Sequence, residues 1–142
     1  EAVTISELDI ENTIRAKAAI YSACALMLEQ IGIGFDDLEH IYIAGGFGRF
    51  LDLDKAITLG LLPDVPRDKF RFIGNASLMG SYMVVVSQDY RRRQLELARR
   101  MTYFDLSNAA GYMDQYTGAM FLPHTDPQLF PSVPNPSAGG HA

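Results

Sequence analysis

Cysteine is almost missing from this chain: Cys24 is the only one in 142 residues. One thiol cannot close an internal disulfide, and alone it cannot hold an iron–sulfur cluster. The histidines are His40, His124 and His141, and they form no His-x-x-x-His or His/Cys spacing of the kind a metal site uses. Positive charge is also short. Twelve Lys and Arg against 17 Asp and Glu leave a net charge of −5, which argues against nucleic acid as a partner. No apolar stretch approaches the roughly 20 residues of a membrane span and no signal peptide is visible, so the reading is no membrane contact and a reducing cytoplasm. Phosphate chemistry lacks its usual equipment too. There is no glycine-rich phosphate loop with an attendant Asp, and neither Asn75 nor Ser77 has a neighbouring base in sequence.

What is present fits one globular core: 48% of the residues are hydrophobic and 20% charged. The chain opens on Glu1 rather than Met, in what reads as a strand, so a piece of something longer is expected. Val3, Thr4 and Ile5 alternate as that strand's end. Ser6 or Asp9 caps a helix to about Gln30, because Ile10, Ile14, Ala18, Tyr21, Ala25 and Leu28 recur at three- and four-residue steps. Gly32 and Gly34 stop it, and residues 35–39 form a turn or helical stub before an apolar strand at 41–44. Asp52 or Asp54 caps a short helix to about Leu59, closed by Gly60 and Pro63. A second strand covers Phe70–Gly74, Asn75 caps an apolar helix from Ala76 to about Ser87, and a charged helix continues from Gln88 to Met101. Tyr103–Leu106 reads as a third strand and Gly111–Leu122 as a short amphipathic helix. The expected core gathers Ile41, Ile43, Phe70, Phe72, Leu78 and Val85. From Pro131 the composition turns to Pro, Ser and Gly, giving one domain over 1–130 and a disordered tail over 131–142.

The most informative segment follows the first strand. Ile41–Ala44 empties into Gly45, Gly46, Phe47, Gly48 and Arg49. Glycines there remove the Cβ atoms that keep a ligand off the backbone, and they permit φ > 0 where the chain must turn. A buried strand ending in such a turn is where α/β folds place nucleotides, since free N–H groups point outward. The plainer alternative is a strand followed by a tight turn. Elsewhere, His124 and Asp126 share a proline-flanked loop that suits local hydrogen bonding, and Cys24 between alanines reads as a buried small hydrophobe.

The segment IAGGFG at 43–48 resembles the adenosine motif of the actin-like ATPase superfamily (ASKHA). Four segments in one order extend the likeness: IRAKAAI at 14–20, AGGFGRFLD at 44–52, IGNASLMG at 73–80 and YMDQYTG at 112–118. Together they resemble the C-terminal domain of the reductive activators of corrinoid proteins, the RACo and RamA type, over residues 3–133. The fold so implied is α/β, a ribonuclease H-like half of an actin-like ATPase with a short sheet flanked by helices. The function implied is the adenosine-side part of an ATP-dependent activator that returns Co(II) corrinoid proteins to Co(I). ATP with Mg2+ would serve the longer protein, and a 2Fe–2S cluster would lie in a missing N-terminal region. The implied partner is a corrinoid protein of a methyltransferase system, with a homodimer left open. Most parts for hydrolysis sit in the half of that fold absent here, so this fragment alone is expected to be inactive.

Residue by residue, the resemblance implies that Gly45, Gly46, Phe47 and Gly48 lie against the nucleotide and that the Arg49 guanidinium stacks on adenine. Lys17 reads on its own as a solvated residue of an amphipathic helix; the resemblance gives it a nucleotide-facing role. Chaperone members of the superfamily carry an acidic residue and a second base on that helix, where this chain has Ile14 and Ala18, so its adenine contacts should be sparser. Asn75 is an N-cap that could also line the cleft. Two rival readings stand beside this one: a partner-docking module that binds no nucleotide, and half of a small-molecule kinase of the same superfamily.

Overall fold

A computed structural model describes residues 4–46 and 48–134, without the side chains of Arg49 and Ser107. Helix α1 spans Glu7–Gln30. Ser6 caps it reciprocally: its hydroxyl accepts from the Asp9 N–H at 3.3 Å, while its own N–H donates to the Asp9 carboxylate at 2.9 Å. Gly32, at φ 74°, takes the left-handed position that ends the helix. Strand β1 (Ile41–Ala44) runs parallel to β2 (Phe70–Gly74), with Ile41 opposite Phe70 and an irregularity after Ile43 that sets Ala44 opposite Gly74. Between them lies α2 (Leu53–Thr58), whose first turn is capped by the Asp52 carboxylate 3.1 Å from the Lys55 N–H. Helices α3 (Ala76–Val86), α4 (Gln88–Arg100) and α5 (Tyr112–Ala119) follow.

The core lies where α1 meets α5 and the segment beyond it. Ala18, Tyr21, Ile57, Val65, Phe70, Ala119 and Phe130 are buried together, with Ile41 and Ile43 packed against them. The rings of Tyr21 and Phe130 stand 5.5 Å apart, and Tyr21 also meets Phe35 and His124. The end of the described chain is fastened to this core. Ser132 donates from its N–H and its hydroxyl to the Asp64 carboxylate at 2.6 and 2.7 Å, and Arg67 joins Asp64 at 2.8 Å and Asp54 at 3.0 Å.

Several expectations change. Tyr103–Leu106 is not a strand: it pairs with no strand among the described residues, and a 3-10 turn at Leu106–Asn108 takes its end. Thr4 and Ile5 lie in irregular chain rather than a strand, and Val3 is outside the described residues. Helix α4 is not a continuation of α3, because Ser87 is extended (φ −139°, ψ 124°) and breaks the two apart. Phe72, Leu78 and Val85 are not core. Phe72 shares the β2 face of Phe70 but stays 44% exposed, while α3 packs on α4 and leaves Leu78 67% and Val85 84% exposed. Cys24 is exposed rather than buried, because α1 turns Tyr21 and Ser22 inward instead. Of the expected tail, Ser132 and Val133 are docked on the body; residues 135–142, His141 included, lie outside the described chain.

Candidate functional site

The two parallel strands finish side by side, and each finishes in a glycine at positive φ: Gly45 at 98° and Gly74 at 62°. These angles exclude a β-carbon without strain, so the turn itself demands glycine at both positions. The N–H of Gly45 donates to the Gly74 carbonyl at 2.7 Å and locks the strand ends together. Gly48 is glycine for another reason, since a Cβ there would stand 2.7 Å from Cγ2 of Ile43.

Gly46 differs from its neighbours. Its φ is not in the left-handed region, and a Cβ on it would meet nothing within 4 Å. Nothing among the described residues requires glycine there. Its N–H also has no hydrogen-bond partner among the described residues. Beside it, α3 begins. The Asn75 carboxamide oxygen accepts from the Leu78 N–H at 3.0 Å, and the N–H groups of Ala76 and Ser77 have no partner among the described residues. Two strand ends, an open glycine and a helix N-terminus thus converge on one side of the sheet. In open α/β sheets the carboxyl ends of parallel strands are where a ligand finds outward-facing N–H groups and a helix dipole.

Residues 1–134 match the family model described as the C-terminal domain of RACo, the ASKHA domain. The chain belongs to that family. It is 33% identical over 114 residues to the corrinoid activation enzyme RamQ of Eubacterium limosum, covering 80% of this chain and 19% of RamQ. It is 30% identical over 100 residues to a Co(II) methylated amine-specific corrinoid protein reductase of Methanosarcina barkeri, covering 70% of this chain and 18% of that protein. Among solved structures, a reductive activator for a corrinoid, iron–sulfur protein superposes with a TM-score of 0.85 at 45% identity, over 91% of this chain and 20% of that one. The chain therefore spans about a fifth of the length of these relatives. The α/β ASKHA architecture expected from the motifs is the architecture of this domain.

The RACo-type domain brings Gly45, Gly46, Gly48 and Asn75 to one place; Phe47 and the Arg49 side chain lie outside the described residues. It does not leave Lys17 free for a ligand. Lys17 is only 3% exposed, and its ammonium donates to the carbonyl oxygens of Phe121 and, at 2.8 Å, Pro123. Burial pulls its pKa down from 10.5 to about 8. Close by, His124 accepts the Asp126 N–H on Nδ1 at 3.0 Å, the local role expected of that loop. Burial first, then the Lys17 charge, hold its imidazole below the ordinary range. Gly74 is the site residue that the motif reading leaves out. Its signal is a glycine closing the alternation of residues 70–73, the same strand-end signature that marks Gly45.

Proposed function

We propose that this domain holds the adenosine side of ATP against the backbone of Gly45, Gly46, Phe47 and Gly48. It would do so within a longer, cytoplasmic, ATP-dependent activator that returns Co(II) corrinoid proteins of a methyltransferase system to Co(I). The observation that carries the reading is Gly46: a position where no described residue requires glycine, at the carboxyl end of a parallel strand, with an N–H unpartnered among the described residues. Any side chain at Gly46 would occupy the open space a ligand needs. Asn75 keeps its cap and borders the same space, and Arg49 is assigned to stack on the base. Lys17 is left out of the set, since its ammonium is already committed.

The resemblance in names supports the wider role: the relatives are a corrinoid activation enzyme, a corrinoid protein reductase and a reductive activator. In the longer protein, ATP with Mg2+ would bias a conformational change through which electrons from a 2Fe–2S cluster reach cobalt, the chemistry of phosphate and cluster being supplied outside residues 1–142. The test is nucleotide titration of the longer protein with Gly46→Val and Arg49→Ala. Gly46→Val is expected to abolish ATP binding, and Arg49→Ala to weaken it by about 1 kcal/mol or more. Unchanged affinity in a folded Gly46→Val protein would overturn the assignment.

A further inference from the structure

A cavity of about 450 Å³ opens between the C-terminal half of α1, the turn at 34–36, residues 63–65 and the segment 128–131. It is separate from the strand ends described above, and its chemistry is of one kind. Glu29 and Asp36 line it, both exposed and neither in an ion pair among the described residues. No Lys, Arg or His is in its lining. Two cations stand beside lining residues: Arg67 pairs with Asp64 at 2.8 Å, and Lys69, which keeps its charge, donates to the Asp36 backbone carbonyl at 2.7 Å. The cavity also receives the negative end of α1, whose last turn contains Glu29 and no basic residue to offset it.

The second observation is Tyr21. It lines the cavity, is only 4% exposed, and its hydroxyl has no hydrogen-bond partner among the described residues. With no partner among the described residues, its oxygen is not sealed from solvent and can accept from a donor in the cavity. Phe35, half-buried and with its ring 5.5 Å from that of Tyr21, supplies an aromatic wall, and the amides of Gln115 and Gln128 add neutral acceptors. An aromatic face, unpaired carboxylates and free acceptors, with no cation in the lining, form the chemistry that recognises an organic cation.

We propose that this cavity binds a guanidinium or alkylammonium group, with Glu29 and Asp36 supplying charge, Phe35 the aromatic wall, and the Tyr21 hydroxyl oxygen and the two Gln side chains accepting its N–H bonds. The group can come from a free small cation or from an Arg side chain on a partner segment, and the experiment separates the two. Calorimetric titration of the protein with methylguanidinium chloride and with the peptide acetyl-Gly-Arg-Gly-amide, each against an equal concentration of NaCl, reads both sources. Saturable binding of either ligand supports the site and names its source. The double variant Glu29→Gln/Asp36→Asn, at two exposed positions, should lower that affinity about tenfold, and Phe35→Leu about threefold. Affinity should also fall as NaCl rises, a readout that needs no variant. Two silent titrations, binding indifferent to the paired variant, or binding independent of salt would each overturn the proposal.

Discussion

Gly45 and Gly74 are joined by a 2.7 Å hydrogen bond between their backbones, and both sit at positive φ. The bond extends the pairing one residue past Ala44 and fixes the point from which the next residue, Gly46, departs with its N–H unpartnered among the described residues. Conformational need thus falls on Gly45, and open space on Gly46.

That division predicts opposite outcomes for one substitution. Gly45→Ala, forced to φ 98°, should lower stability by about 1–2 kcal/mol. Gly46→Ala should change stability by less than about 0.5 kcal/mol. Urea unfolding of the two variants compares them directly; equal losses would contradict the geometry.

Gly48 and Ile43 form a testable pair. A Cβ at Gly48 would stand 2.7 Å from Cγ2 of Ile43, so Gly48→Ala should destabilise by about 1–3 kcal/mol. Ile43→Leu removes that methyl from Cβ, and the double variant should recover part of the loss. Strict additivity in a double-mutant cycle would show that the two positions do not meet.

Stability should rise and then fall on the alkaline side. Lys17, at about 8 when folded against 10.5 when free, loses its proton first in the native state. From about pH 8 upward the unfolded chain therefore binds more protons, and stability rises. Tyr21 works in the other direction. Burial, with the Asp126 charge second, lifts its phenol from 10.0 to about 12. Above pH 10 the native state keeps a proton that the unfolded chain releases, and stability falls. Cys24, an exposed residue whose thiol is raised by partial desolvation from its neighbours, is replaced by Ala so that it does not titrate in the same range. Urea midpoints across pH should show the rise, and Lys17→Met should flatten it. A steady decline from pH 8 would refute the placement of Lys17.

Asp64 fastens the chain beyond α5. Burial pushes its carboxyl up, yet the hydrogen bonds from Ser132 and Arg67 outweigh that and leave it below the usual range. Asp64→Asn should cost about 2 kcal/mol. Amide exchange at Ser132 and Val133 should speed up more than at α1. Uniform acceleration across the domain would mean that the clasp is not local.

Much of this architecture was legible from short-range signals. Ser6, Asp52 and Asn75 mark helix starts because capping is a matter of three residues, and the glycines at 45 and 48 mark the turn. What escaped depends on distant partners. Lys17 looks solvated on a helical wheel, and only the fold reveals that carbonyls at 121 and 123 meet it. Leu78 and Val85 look like core because α3 is apolar all round, but hydrophobicity does not say which neighbour is present. Tyr103–Leu106 has strand-forming residues and no strand to join.

The bond from Lys17 to Pro123 crosses 106 residues of sequence. On a ribosome adding about 5–20 residues per second, α1 would wait roughly 5–20 s before the carbonyls that receive its ammonium exist. Docking of α1 on α5 is therefore a late event of high contact order. A nascent chain stopped short of Phe121 exposes Lys17 and the ring face of Tyr21 together, and that is the interval in which the domain is open to wrong partners or to a chaperone.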